Sequence, residues 1–169
     1  LKNRLSFLGQ KSQHYVVSSS YGDKSTQTLN LISIPSIAYG SRINPGSVSL
    51  KWYLTGSLIG ELQDTKQNGE LMQTGPAGSE GSGSVAGVVL YNEGFMLLTG
   101  SWDLNSETIG LTVGGSVTKP KWTLYGAGAK DGITSTTAPA GYVSASFDMS
   151  FEGQTETQVL TMFAHAARG

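Results

Sequence analysis

Two histidines, twelve carboxylates and three tryptophans are the side chains from which this 169-residue chain could build a reaction or a binding site. His14 and His165 stand at opposite ends of the sequence in no metal-ligand spacing. Neither a G-x-S-x-G elbow nor an H-E-x-x-H motif occurs, so nucleophilic and zinc-assisted hydrolysis lack their usual parts. Cysteine is absent, which removes thiolate zinc sites, thiol nucleophiles and disulfides together. A glycosidase needs two carboxylates about 5–10 Å apart, and the pairs on offer are Glu61 with Asp64 and Asp148 with Glu152. Both fall in polar surroundings, where solvation explains them. Asp64-Thr65-Lys66-Gln67-Asn68-Gly69-Glu70 half-matches a calcium loop, but Lys66 puts a cation where an oxygen ligand belongs and Gly75 stands where the closing Glu should be. Asn68-Gly69 is also a type I′ turn signal in its own right. Trp52, Trp102 and Trp122 could stack on a sugar if exposed. Trp52 and Trp122, however, sit on the apolar faces of alternating segments and read as core, while Trp102 is undecided. The sequence thus names no catalytic, cofactor-binding or metal-binding residue, and a non-enzymatic role is expected.

The elements that would position such side chains are strands. Only 14% of the residues are charged, and Gly, Ser and Thr number 23, 22 and 16. These are poor helix formers, so bundles and coiled coils are excluded. With 38% apolar residues the chain can still bury a core. The net charge of -1 argues against nucleic acid as a partner, and no apolar run approaches the ~20 residues of a membrane span.

Period-two alternation locates the strands. Val143 to Phe151 has apolar residues at every odd position and polar ones at every even position. Ser47 to Thr55 places Val48, Leu50, Trp52 and Leu54 on one face. Val88 to Tyr91 and Phe95 to Leu98 flank Asn92-Glu93-Gly94, a hairpin signal with Gly94 at positive φ, and their near-continuous apolarity predicts cover on both faces. Ile109 to Val117 around Gly114-Gly115 predicts a further hairpin. Thr28 to Ile34 and Lys121 to Tyr125 are expected as strands. Thr157 to Phe163 is expected to pair back on 143–151, although Leu160, Phe163 and Ala164 also fit helical spacing. Thr74 to Ser84, with four glycines, reads as a mobile surface loop. The expected fold is all-β, an antiparallel β-sandwich or jelly-roll-like domain with Gly/Ser-rich loops.

Charge is uneven. Residues 1–51 carry six basic side chains and one acidic, and residues 52–118 carry one and seven. Either the segments pair within the fold, or a basic N-terminal arm over 1–27, preceding a β domain over 28–169, docks on a neighbouring subunit. In the second case Leu5, Phe7, Leu8 and Tyr15 are the expected inter-subunit contacts. The chain starts at Leu1 with no initiator Met and no visible signal peptide, and so reads as an ordered piece of something longer.

A resemblance joins several of these motifs. Ile34-Pro35-Ser36-Ile37-Ala38-Tyr39-Gly40-Ser41, Pro45-Gly46-Ser47-Val48-Ser49-Leu50-Lys51 and Asn68-Gly69-Glu70-Leu71 form its first part. Gly83 to Gly94, Leu98-Thr99-Gly100-Ser101-Trp102 and Leu160 to Ala166 continue it. Over about residues 30–167 the chain resembles virion structural domains of tailed phages that infect marine bacteria and cyanobacteria. The resemblance implies a tail or baseplate component located in the virion, with other virion proteins and copies of itself as partners and no cofactor. A carbohydrate- or receptor-binding fibre module, touching a host surface glycan, and a capsid decoration protein are the alternatives. It carries over no catalytic or ligand residue.

Overall fold

The computed structural model describes residues 1–113, 116–127 and 144–162. In chain order these form a short helix α1 (Lys2–Leu8) and the paired dipeptides β1 (Ser18–Ser19) and β2 (Gly22–Asp23). Then follow β3 (Asn30–Ser33), β4 (Arg42–Ile43), β5 (Ser49–Leu54), β6 (Ser57–Gln63), β7 (Glu70–Gly75), β8 (Val85–Leu90) and β9 (Phe95–Leu98). The last are β10 (Ile109–Val113), β11 (Ser116–Thr118), β12 (Ala145–Ser150) and β13 (Gly153–Gln154), with single 3-10 turns at Ser36–Ala38 and Trp122–Leu124. Strand accounts for 38% and helix for 9%, so the all-β class is as expected.

Seven strands make one curled antiparallel sheet in the order β12-β5-β6-β7-β8-β9-β3. Its middle, β5 to β9, runs up and down in sequence order, and its two edges come from distant parts of the chain. The alternation in β5 is realised in full: Val48, Leu50, Trp52 and Leu54 are all buried. Opposite it, β12 pairs from Ala145↔Leu54 to Ser150↔Ser49. Because β12 is an edge strand, its odd positions are only half-buried and Met149 is 39% exposed, whereas the even ones face water as expected. Val143 lies outside the described residues.

The β8–β9 hairpin is covered on both faces, as its apolarity predicted. Val89, Met96 and Leu98 join the main core with Trp52, Ile59, Leu62 and Trp122. Val88, Leu90 and Leu97 turn to the opposite, outer face and pack under Leu5 and Tyr15. The pair closes at Leu90↔Phe95, so Tyr91 belongs to the loop and not to the strand. Gly94 has φ +67°, the left-handed geometry expected of it. The β10–β11 hairpin also forms, and Ile109 and Leu111 lean into the main core.

Several expectations fail, each for a tertiary reason. Lys121 to Tyr125 is no strand. The 3-10 turn there brings residues i and i+3 to one side, so that Trp122 and Tyr125 lie 5.9 Å apart between ring centroids and both meet Trp52 edge-on. Residues 157–162 do not pair with β12. The chain leaves β12 for β4, pairing Gly153↔Ile43 and Gln154↔Arg42, and residues 155–162 are exposed and without regular structure. Phe163 and His165 lie outside the described residues. Asn68-Gly69 is not a two-residue turn but the end of a loop from Asp64, with positive φ at Gln67 and Gly69. The β6 and β7 strands on either side of it have no counterpart in the sequence reading.

Tyr125 ties the two sheet edges together. Its backbone carbonyl accepts a hydrogen bond from Asn30 Nδ2 on β3 at 2.7 Å, and its hydroxyl donates to the Asp148 carbonyl on β12 at 2.5 Å. With its ring against Trp52 and Phe147, it closes the gap that strand pairing leaves.

Candidate functional site

The N-terminal segment lies on its own domain. Leu5 and Tyr15 are buried against β8 and β9, Leu8 is half-buried, and Phe7 is 63% exposed. The Tyr15 hydroxyl donates to the Val89 carbonyl at 2.5 Å, and Arg4 Nε meets Glu93 at 2.5 Å. Ser12 Oγ donates to Glu70 Oε1 at 2.5 Å. Of the six basic side chains in residues 1–51, Arg4 and Lys51 pair with the acidic middle, on Glu93 and Glu61, and among the four expected contact residues only Phe7 presents a large free surface.

The candidate carboxylates are absorbed by structure. Asp64 is fully buried and accepts from the Gly46 N–H at 2.8 Å, the Gly69 N–H at 3.1 Å and the Tyr91 hydroxyl. It therefore organises the loop that the calcium motif half-matched. Glu61 faces Lys51 at 3.7 Å and Gln63 Nε2 at 2.9 Å. Glu152 accepts from Asn44 Nδ2 at 3.3 Å, and Asp148 is exposed on β12. Asp64, Glu61 and Glu152 are held by different partners, and among the described residues no two of the four are brought together by a shared one.

The tryptophans divide as their neighbours dictate. Trp52 and Trp122 are fully buried. Trp102 is half-buried, and its indole N–H donates to Gln73 Oε1 at 2.8 Å, the same oxygen that takes the Trp122 indole at 2.9 Å. Gln73 Nε2 in turn donates to Ser79 Oγ and the Glu80 carbonyl. This buried amide, unmarked by any sequence motif, fixes Trp102 and bonds the Gly-rich loop after β7, whose expected first residues, 74 and 75, belong to the strand.

Beside the N-terminal segment, the outer sheet face is left open as a groove of about 540 Å³. The half-buried Met72 and the buried Val88 and Leu97 line its base, and Thr99, Ser84 and Ser101 add hydroxyls. Tyr21 and His14, stacked with ring centroids 4.1 Å apart, supply one flank, and Trp102 lines it as well. Among the described residues, every ionisable group lining it is a nitrogen base or a phenol: His14, Lys24, Lys66 and Tyr21. Burial pushes His14 and Lys24 below their usual ranges, so His14 is a neutral ring near pH 7. Lys66 bonds Glu70 Oε2 at 2.8 Å. Burial raises the Glu70 carboxyl, but the bonds from Lys66 and Ser12 outweigh it and hold the group below the usual carboxylate range.

A second surface feature is apolar. Val159, Leu160 and Met162 are 84–87% exposed, and Ile37 is 94% exposed. The turn that carries Ile37 is joined to the 153–156 segment through the Gly40↔Gln154 bridge and the Ser41 N–H to Gln154 carbonyl bond at 2.9 Å. Arg42 anchors the same corner on Gln154 at 3.0 Å and Glu156 at 3.4 Å.

No family model, no curated protein and no solved structure matches this chain.

Proposed function

We propose that this chain is a non-enzymatic building block of a multi-copy assembly, a tail or baseplate component of a tailed-phage virion. The observation that carries the assembly reading is the exposed run Val159-Leu160-Thr161-Met162, which emerges from the corner holding Ile37. Large apolar side chains left exposed outside the core mark contact surfaces. Burying each draws on about 1.5–3 kcal/mol before the cost of association. Placement in a virion rests on the sequence resemblance.

Deleting residues 1–27 is not the way to test the joint, because it strips Leu5 and Tyr15 from the outer-face core. The double variant Leu160→Asp, Met162→Asp leaves that core untouched. Light scattering after size exclusion should show the wild-type chain as an oligomer and the variant as a monomer with the same thermal midpoint. A monomeric wild-type chain at tens of micromolar would end the assembly reading. Antibody labelling of purified phage particles should decorate the tail or baseplate, and label elsewhere would move the component.

A further inference from the structure

We propose that the outer-face groove between the 12–24 segment and the Gly-rich loop after β7 binds an acidic saccharide, one carrying uronate carboxylates or sulfates. Its volume of about 540 Å³ exceeds what a single oxyanion fills and lies within the range of small-ligand sites. Its chemistry is of three kinds that together suit such a ligand. Ring faces come from Tyr21, 58% exposed, and from Trp102. Trp102 is preset by its bond to the buried Gln73, so little ordering is required when a sugar stacks on it. Hydroxyl partners come from Ser84, Thr99 and Ser101. Positive charge comes from Lys24 and Lys66, and among the described residues no carboxylate lines the groove, in a chain whose acids and bases are otherwise balanced.

Both lysines are held in place with donors to spare. Lys24 Nζ uses one hydrogen on the Val16 carbonyl at 2.8 Å, and Lys66 Nζ uses one on Glu70. An ammonium group has three, so each can still reach a carboxylate or sulfate. Glu70 offsets part of the Lys66 charge, which leaves a modest attraction and makes the ring faces necessary for binding. A neutral sugar would leave two ammonium groups unused, and a bare anion would leave the rings unused.

The test follows intrinsic tryptophan fluorescence and calorimetry with four probes: hexagalacturonate, a heparin-derived hexasaccharide, maltohexaose and sodium sulfate. At least one acidic hexasaccharide should bind saturably and at least tenfold more tightly than maltohexaose or sulfate, and which one does so separates carboxylate from sulfate recognition. Lys66→Gln and Tyr21→Ala, both at exposed positions, should each weaken that binding at least fivefold in chains that circular dichroism shows to be folded, and Phe7→Ala should not. Lys24→Gln is avoided as the sole variant because it also frees the Val16 carbonyl. Binding by neither acidic probe at millimolar concentration, equal binding of maltohexaose or sulfate, or full affinity in both variants would overturn the proposal. The monomeric Leu160→Asp, Met162→Asp chain should bind as the wild type does, so this site and the assembly joint fail or stand separately.

Discussion

The side-chain oxygen of Gln73 and the indole nitrogen of Trp122 are 2.9 Å apart in a site closed to water, and 49 residues separate them in the chain. The same oxygen serves Trp102, and the amide nitrogen serves the loop. All four hydrogen-bonding positions of this amide are therefore used, which is what makes a buried polar side chain tolerable.

Gln73→Met keeps the volume and removes the acceptor. Two indole N–H groups then lose their partner, so the expected loss is about 2–4 kcal/mol in urea unfolding, since an orphaned buried donor costs ~1–3 kcal/mol. Trp52→Phe is the contrast: the Trp52 indole N–H has no partner among the described residues, so only packing is lost. A Gln73→Met cost below 0.5 kcal/mol, on the order of an ordinary surface change, would show that the node does not matter.

Alkaline pH should unfold the protein through three tyrosines. Burial raises the hydroxyl of Tyr15, Tyr91 and Tyr125 above the ordinary tyrosine range, reinforced at Tyr15 by the Asp64 charge, at Tyr91 by its bond to Asp64 and at Tyr125 by the Asp148 charge. A raised folded pKa favours the neutral form in the fold. The stabilisation is complete below the unfolded pKa of about 10 and drains away as pH rises above it, at up to ~1.4 kcal/mol per pH unit for each group. Thermal melts should be flat in this term from pH 7 to 9 and fall steeply beyond 10. Absorbance at 295 nm should show these three phenols ionising only as the fold is lost.

Gly94→Ala should be far costlier than Gly78→Ala, although both glycines have positive φ. At Gly94 a Cβ would lie 2.5 Å from the Ile34 carbonyl oxygen and 2.4 Å from the Tyr39 ring, whereas at Gly78 it meets open space. The backbone term alone is roughly 1–2 kcal/mol. Gly78→Ala should stop there, and Gly94→Ala should exceed it by at least ~1 kcal/mol because a tightly packed site does not absorb an added methyl group. Equal effects in chemical denaturation would contradict the close approach.

Thr55 offers a gain instead. The β5–β6 turn is the two residues Thr55 and Gly56, at φ +48° and +80°, closed by the Leu54↔Ser57 pair. Positive φ at both central positions favours Asn-Gly, and a β-branched residue is strained there. Thr55→Asn should raise stability by about 0.5–1 kcal/mol, read as a higher melting temperature. A neutral or lower value would mean that Thr55 makes a compensating contact.

What could be read from the residues in order was whatever a strand reveals about itself. The alternation of Val48 to Leu54, the apolar arms around Asn92-Glu93-Gly94 and the Ile109 to Val117 hairpin are local patterns, set by the twofold period of the extended chain. The all-β class follows from them and from the shortage of helix formers. The β6 and β7 strands were hidden because their key residues look wrong for a core. Gly60 is small because Trp122 Cζ2 would lie 2.7 Å from any Cβ there, and Gln73 and Glu70 are polar because partners elsewhere in the chain satisfy them. The same holds for residues 1–27, whose few apolar side chains gave no sign of the sheet face waiting for Leu5 and Tyr15, and for 157–162, whose β-prone residues never find a strand. Alternation states which side of a segment seeks burial. Which surface receives it, and so which groove and which apolar corner remain open, depends on contacts across dozens of residues, and those the folded chain alone decides.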